Sequence, residues 1–213
     1  FILSKINLLI LVTAIFAIVA FFALGLTDIA KTKEASELVF RVAEKSNALV
    51  NSSTYCAGDA YVLDPELSVA GSSFYYVMRV SKQPVETGKG KFNILIFSVY
   101  PREEIKKSFE DSSYVPKAIA ANSFRTAADI HLFSKNYIEG KDYTGSFEDV
   151  GAAGYFYADP QAITPVDTIE FIKEVKDGKT SLYVFGCNSA FCDLEQIRND
   201  GFPCQKRKPV GLI

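Results

Sequence analysis

The chain has 213 residues, with 23 Lys plus Arg set against 25 Asp plus Glu and a formal net charge of -2. That balance lacks the basic excess that gathers phosphate backbones, so nucleic acid is not an expected partner. A content of 17 Phe and 11 Tyr without Trp favours pleated, half-buried sheets, and the length beyond the apolar start suits one domain.

Residues 6–26 read INLLILVTAIFAIVAFFALGL, an uncharged run whose strongly polar members are Asn7 and Thr13. At about 1.5 Å of rise per residue, a helix over this run matches a hydrocarbon core of about 30 Å. It exceeds the apolar core of about 7 to 15 residues usual in a secretory signal peptide, and no A-x-A cleavage site follows it. The first residue, Phe1, is expected to be a processed N-terminus.

The pattern continues past Leu26 without Pro or Gly as TDIAKTKEASELVFRVAEKSNALV, residues 27–50. Ala35, Leu38, Val39, Val42, Ala43, Leu49 and Val50 recur at helical spacing, and Lys31, Lys33, Glu34, Glu37, Arg41, Glu44 and Lys45 fall on the other face. Glu37 and Arg41 are spaced for an i,i+4 ion pair. Asn51-Ser52-Ser53-Thr54 supplies side chains that compete with the helical backbone and ends the run. The organisation expected is therefore a long helix over 1–53, apolar in 6–26 and amphipathic in 27–50, followed by a β-rich head over 54–213.

In the head, short apolar runs separated by turn residues predict strands over 60–63, 73–80, 92–99, 130–133, 154–157, 169–175 and 181–185. Short helices are expected over 102–110, after Pro101, and over 193–198. The clearest unit is a hairpin in which Ile169, Phe171 and Val175 alternate with polar residues before the turn Lys176-Asp177-Gly178-Lys179. Together these predict an α+β fold, a long N-terminal helix with an antiparallel β-rich head. The stripe of Leu38, Val42 and Leu49 is expected to lie on that sheet, so that the head needs the helix.

Little in the sequence points to catalysis. The four cysteines, Cys56, Cys187, Cys192 and Cys204, read as two disulfides in an extracytoplasmic domain, with Cys56 tied to one of the other three. A four-cysteine zinc site and free buried thiols are the competing readings, although paired knuckles are lacking. His131 is the one histidine, so a metal site with two imidazoles cannot form within one chain; on a strand it reads as a face or edge residue rather than a base for a Cys187 or Cys192 nucleophile. Glu103, Glu104, Glu110 and Asp111 read as a solvated helix face, and Gly71-Ser72-Ser73 and Gly151-Ala152-Ala153-Gly154 as turns. The chain carries no G-x-S-x-G elbow, Walker A loop, dinucleotide fingerprint or H-E-x-x-H. No cofactor, metal or enzymatic activity is expected. Asn51-Ser52-Ser53 is an N-x-S/T sequon at the predicted helix end and a candidate glycosylation site.

A Phe at position 1, an apolar half-helix, an amphipathic half-helix and a C-terminal head resemble type IV pilins and their archaeal relatives, whose subunits are trimmed by prepilin peptidase. The resemblance covers the first quarter of the chain. It departs at Lys5, where many bacterial pilins carry a Glu that pairs with a neighbouring N-terminus. It implies a structural subunit, held in the membrane before assembly, that polymerises with copies of itself into an extracellular filament for adhesion or surface attachment. The candidate filament-core positions are Ile6, Leu9, Val12, Phe16, Val19 and Phe22. The alternative is a monomeric single-pass anchored ectodomain with a binding role.

Overall fold

The computed structural model describes residues 2–69, 71–88, 90–134, 148–150 and 154–189, with the side chains of 2–8, 22–24, 72 and 148 left out. The expected helix over 193–198, Phe1, Cys192 and Cys204 lie outside the described residues.

One helix, α1 (Ile2–Val50), runs unbroken through both halves of the N-terminal segment. Its seven expected apolar positions, Ala35, Leu38, Val39, Val42, Ala43, Leu49 and Val50, are all buried. The helix ends where the sequence supplies competitors: Ser52 donates its hydroxyl to the Leu49 carbonyl at 2.8 Å, and the Asn51 amide donates to the Asn47 carbonyl at 2.9 Å. The Lys173 ammonium donates to the Ser52 carbonyl, in the turn just past the helix end.

The head is a two-sheet sandwich with that helix along one side. Strands β1 (Cys56–Val62), β2 (Leu67–Val69), β3 (Ser72–Phe74), β4 (Tyr76–Thr87) and β5 (Gly90–Pro101) precede a short helix, α2 (Arg102–Glu110). There follow β6 (Ala120–Thr126), β7 (Asp129–Ser134), β8 (Glu148–Asp149), β9 (Tyr155–Ala158), β10 (Thr168–Lys176) and β11 (Lys179–Cys187). The first sheet has the order β1-β10-β11-β7-β8, the second β6-β5-β4-β9, and β2 with β3 forms a ribbon. Every pairing is antiparallel except β11 with β7, which run parallel.

The sheets meet through Met78, Val80, Leu95, Phe97 and Val99 on one side and Ile130, Leu132, Ile169, Phe171, Leu182 and Val184 on the other. Phe97 and Phe171 touch edge to face, 6.2 Å between centroids, and each such ring contributes about 1.5 to 3 kcal/mol by leaving water. Helix α1 packs along β1 and β6, the outermost strands of the two sheets on that side. Lys82 donates to the Ile130 carbonyl at 3.1 Å and Asn93 to the Ala128 carbonyl at 2.9 Å, so polar side chains bridge the layers.

Two local devices shape the strands. At the β10–β11 turn, Asp177 and Gly178 take φ of 51 and 75°, the left-handed pair that a two-residue hairpin requires. Pro84 breaks no ladder, because β9 pairs with Met78 to Ser81 only and the Pro84 nitrogen lies beyond that pairing.

Gly186 is a packing glycine. A Cβ there would meet Phe156 Cε2 at 2.6 Å and Val166 Cγ1 at 3.2 Å, and Phe156 is fully buried. Gly186→Ala should therefore destabilise the head by about 1 to 3 kcal/mol, the usual cost of overpacking a filled core. Chemical denaturation of the two proteins measures it, and an unchanged midpoint contradicts the packing.

Candidate assembly surface

The first half of α1 stands apart from the head. From Leu9 to Phe21 every residue is exposed, and the large apolar side chains range from 41% exposed at Val12 to 75% at Phe21. The segment is long and apolar enough to cross a membrane, and none of its most apolar window is buried within the chain. The hydroxyl of Thr13 donates back to the carbonyls of Leu9 and Ile10 at 3.0 and 2.9 Å, so this polar group is satisfied inside the helix.

Of the candidate core positions, Leu9, Val12, Phe16 and Val19 are exposed on this arm; Ile6 and Phe22 lie on the helix but their side chains are outside the described residues. The arm is not a stripe, however. Ile10, Leu11, Ile15, Ile18 and Phe21 bare the remaining sides, and Leu26 and Ile29 extend the apolar surface toward the head. A run that is apolar all round signals a helix covered on every side.

Beyond Ile29 the helix changes character. Arg41 and Glu37 form the expected i,i+4 ion pair, exposed and therefore of small energetic weight. Lys45 reaches β1, where it pairs with Asp59 at 3.0 Å and donates to the Ala60 carbonyl at 2.6 Å. Among the described side chains Ala35 is the first that is fully buried, and from there the helix belongs to the head's core.

The other sequence candidates do not converge. His131 stacks on Tyr183 with ring centroids 4.8 Å apart, at the middle of the β7–β11 pairing. Cys56 and Cys187 are disulfide-bonded, so the Cys187 thiol is not available as a nucleophile. Among the described residues no group of three or more His, Cys, Asp or Glu could hold a metal ion. The carboxylates around α2 serve local bonds. Glu103 pairs with Lys106 at 3.2 Å, and Asp111 accepts the Ser113 backbone and hydroxyl. Glu104 accepts the Tyr114 hydroxyl at 2.5 Å and the Lys117 backbone N–H.

The Tyr114 hydroxyl, aided by the Lys117 amide, holds the Glu104 carboxyl below its ordinary value of 4.5. A lowered folded-state pKa contributes stability above the unfolded value and loses it as pH falls through the folded one. The loop after α2 should thus loosen below pH 4.5, and Glu104→Gln should remove that dependence. Tyr114 ring resonances followed by NMR through the acid range test this; identical titrations in both proteins contradict it.

Asn51 is exposed at the helix end, its amide engaged only with Asn47. The cysteines allow a sharper statement. Cys56 lies opposite Glu174 and Cys187 opposite Thr168, at the two ends of β10. Six residues of strand separate those ends by about 20 Å, far beyond the ~7 Å that a disulfide tolerates between Cα atoms. Peptide mapping without reduction should recover Cys56 and Cys187 on different partners; a peptide joining the two contradicts the register.

No protein-family model, curated protein or solved structure matches the chain.

Proposed function

We propose that the chain is a structural subunit of an extracellular type IV pilus-like filament, polymerising through its N-terminal apolar helix and serving adhesion or surface attachment. Before assembly the same helix sits in the membrane. The observation that carries the reading is the division of one unbroken helix into a bare apolar half and a half built into the head. So large an apolar surface cannot stay in water, and burial against copies of itself removes it at about 25 cal/mol per Å2. Head-to-tail contacts that do not close on themselves build helical filaments from such a subunit. The resemblance of the first quarter of the chain to type IV pilins supports the same reading.

A second reading, the monomeric anchored ectodomain, is favoured by one feature: the arm is apolar on all sides, and lipid covers all sides without a partner. Negative-stain microscopy of the purified chain after detergent withdrawal separates the two. Filaments of uniform width are expected from the polymer; dispersed particles that need detergent or lipid at every concentration favour the anchor.

A further inference from the structure

The point at which α1 enters the head fixes how high the head stands above the apolar segment. Lys31 Nζ lies over the Phe74 ring, 5.7 Å from its centroid, so the β2–β3 ribbon meets the helix at residue 31. Leu26, the last residue of the apolar run, is five positions earlier. At about 1.5 Å per residue the separation is about 7.5 Å, close to the ~5 to 7 Å headgroup layer on each side of a bilayer's hydrocarbon core. The helix is continuous there, so no hinge takes up the gap.

The same end of the head carries a bonded platform. Strand β1 starts beside the end of α1 and descends against it, as the Lys45 contacts with Asp59 and Ala60 show, so the chain after Val62 lies toward the arm. There the Tyr76 hydroxyl donates to the Asp64 carbonyl at 2.8 Å, and Gln161 donates to the Pro65 carbonyl at 3.0 Å. Arg102 joins the remaining pieces: its backbone N–H donates to Tyr75, and its guanidinium to Asp159 and to the Gln161 carbonyl. From this braced surface Tyr75 projects 51% exposed and Ile163 fully exposed, while Ile29 is bare on the helix just below.

We infer that this platform rests on the headgroup layer of the bilayer that the chain's own helix crosses, with Tyr75 and Ile163 in the interfacial zone. The inference rests on the membrane-inserted state in the proposed function. Lipid is the occupant because the unbroken helix holds the platform about one headgroup depth from the hydrocarbon. An aromatic ring with a polar tip suits that layer, its body among acyl carbons and its hydroxyl in the wet zone. The contact sets the orientation of the head on the membrane before any neighbour arrives.

The chain has no Trp, so single substitutions report alone. Four variants of the full chain, Tyr75→Trp, Ile163→Trp, Phe16→Trp and Tyr55→Trp, are reconstituted in phosphatidylcholine vesicles carrying nitroxide on the headgroup or at mid-chain. Phe16 marks the arm, and Tyr55, 78% exposed beyond the far end of α1, marks the top of the head. Headgroup nitroxide is expected to quench Tyr75→Trp and Ile163→Trp several-fold more than Tyr55→Trp, while mid-chain nitroxide quenches only Phe16→Trp. If Phe16→Trp is quenched at mid-chain but the two platform variants behave like Tyr55→Trp, the platform stands clear of lipid and the inference is overturned. If Phe16→Trp is not quenched, the helix is not in the bilayer, and the membrane-inserted state falls together with this inference.

Discussion

A chain cut to begin at Thr27 is expected to fold, whereas one cut to begin at Thr54 is not. The first cut removes an arm with no buried residue from Leu9 to Phe21. The second also removes Leu38, Val39, Val42, Leu49 and Val50, each less than a tenth exposed, together with Ala35 and Ala43. At about 1.5 to 3 kcal/mol for each buried aliphatic side chain, the five larger ones contribute on the order of 10 kcal/mol before entropy. That is comparable with the whole stability of a domain, about 5 to 15 kcal/mol. Lys173 would also lose a partner, since it donates to the Ser52 carbonyl just past the helix, and β1 would lose the Lys45 contact. Thermal unfolding and NMR dispersion of the two truncated chains decide it: a cooperative transition is expected from 27–213 alone. A folded 54–213 would mean that the helix merely decorates the sandwich.

Ala17→Asp, and equally Leu9→Asp, should abolish assembly without unfolding the head. Both positions are exposed on the arm, so the head loses no contact. A carboxylate at the middle of an apolar helix costs about 2.5 to 3.5 kcal/mol on insertion scales. In a filament core the same charge recurs in every subunit without a partner, and the penalty recurs with it. Sedimentation of wild type and variant after detergent withdrawal, with circular dichroism as the folding control, measures the effect. A variant that pellets as filaments like wild type contradicts burial of the arm.

How much of this was legible in the sequence depends on how local the signal is. The seven apolar positions of 27–50 follow one helical face, and all seven are buried, because a 3.6-residue period needs no tertiary information. Helix α2 follows from Pro101, two acidic residues in the first turn and Lys107 in the last. The Asp177-Gly178 turn fixes its hairpin in register, with Lys176 opposite Lys179.

What was not legible is what partners decide. Strand β6, Ala120–Thr126, reads AANSFRT, with one large apolar residue and no alternation; it is a strand because β5 pairs along it and α1 covers it. The parallel pairing of β11 with β7 joins Tyr183 to His131 across some fifty residues, and no local pattern encodes that choice. On β10, alternation puts Glu170 toward solvent, yet Glu170 and Lys173 are both buried, because both faces of that central strand are covered. One antiparallel sheet was expected; the core needs two, since the apolar faces of β4–β5 and β10–β11 bury each other.

The apolar arm over 6–26 was legible from its length and lack of charge, and the six candidate core positions named within it do not exhaust its bare surface. Leu9, Val12, Phe16 and Val19 are exposed, but so are Ile10, Leu11, Ile15, Ile18 and Phe21 on the other sides. A helix apolar all round has no preferred face, so neither periodicity nor burial within one chain selects the residues that meet a neighbour.

The contact itself can be read at Phe16, 70% exposed in the middle of the arm. A photo-crosslinking amino acid at that position, activated in the chain after detergent withdrawal, captures whatever lies against it. The filament account predicts a ladder of covalent dimers and higher multimers of the chain, with crosslinked peptides mapping to the arm of another copy. Adducts to lipid or detergent alone, with no chain-to-chain product at any protein concentration, would contradict it.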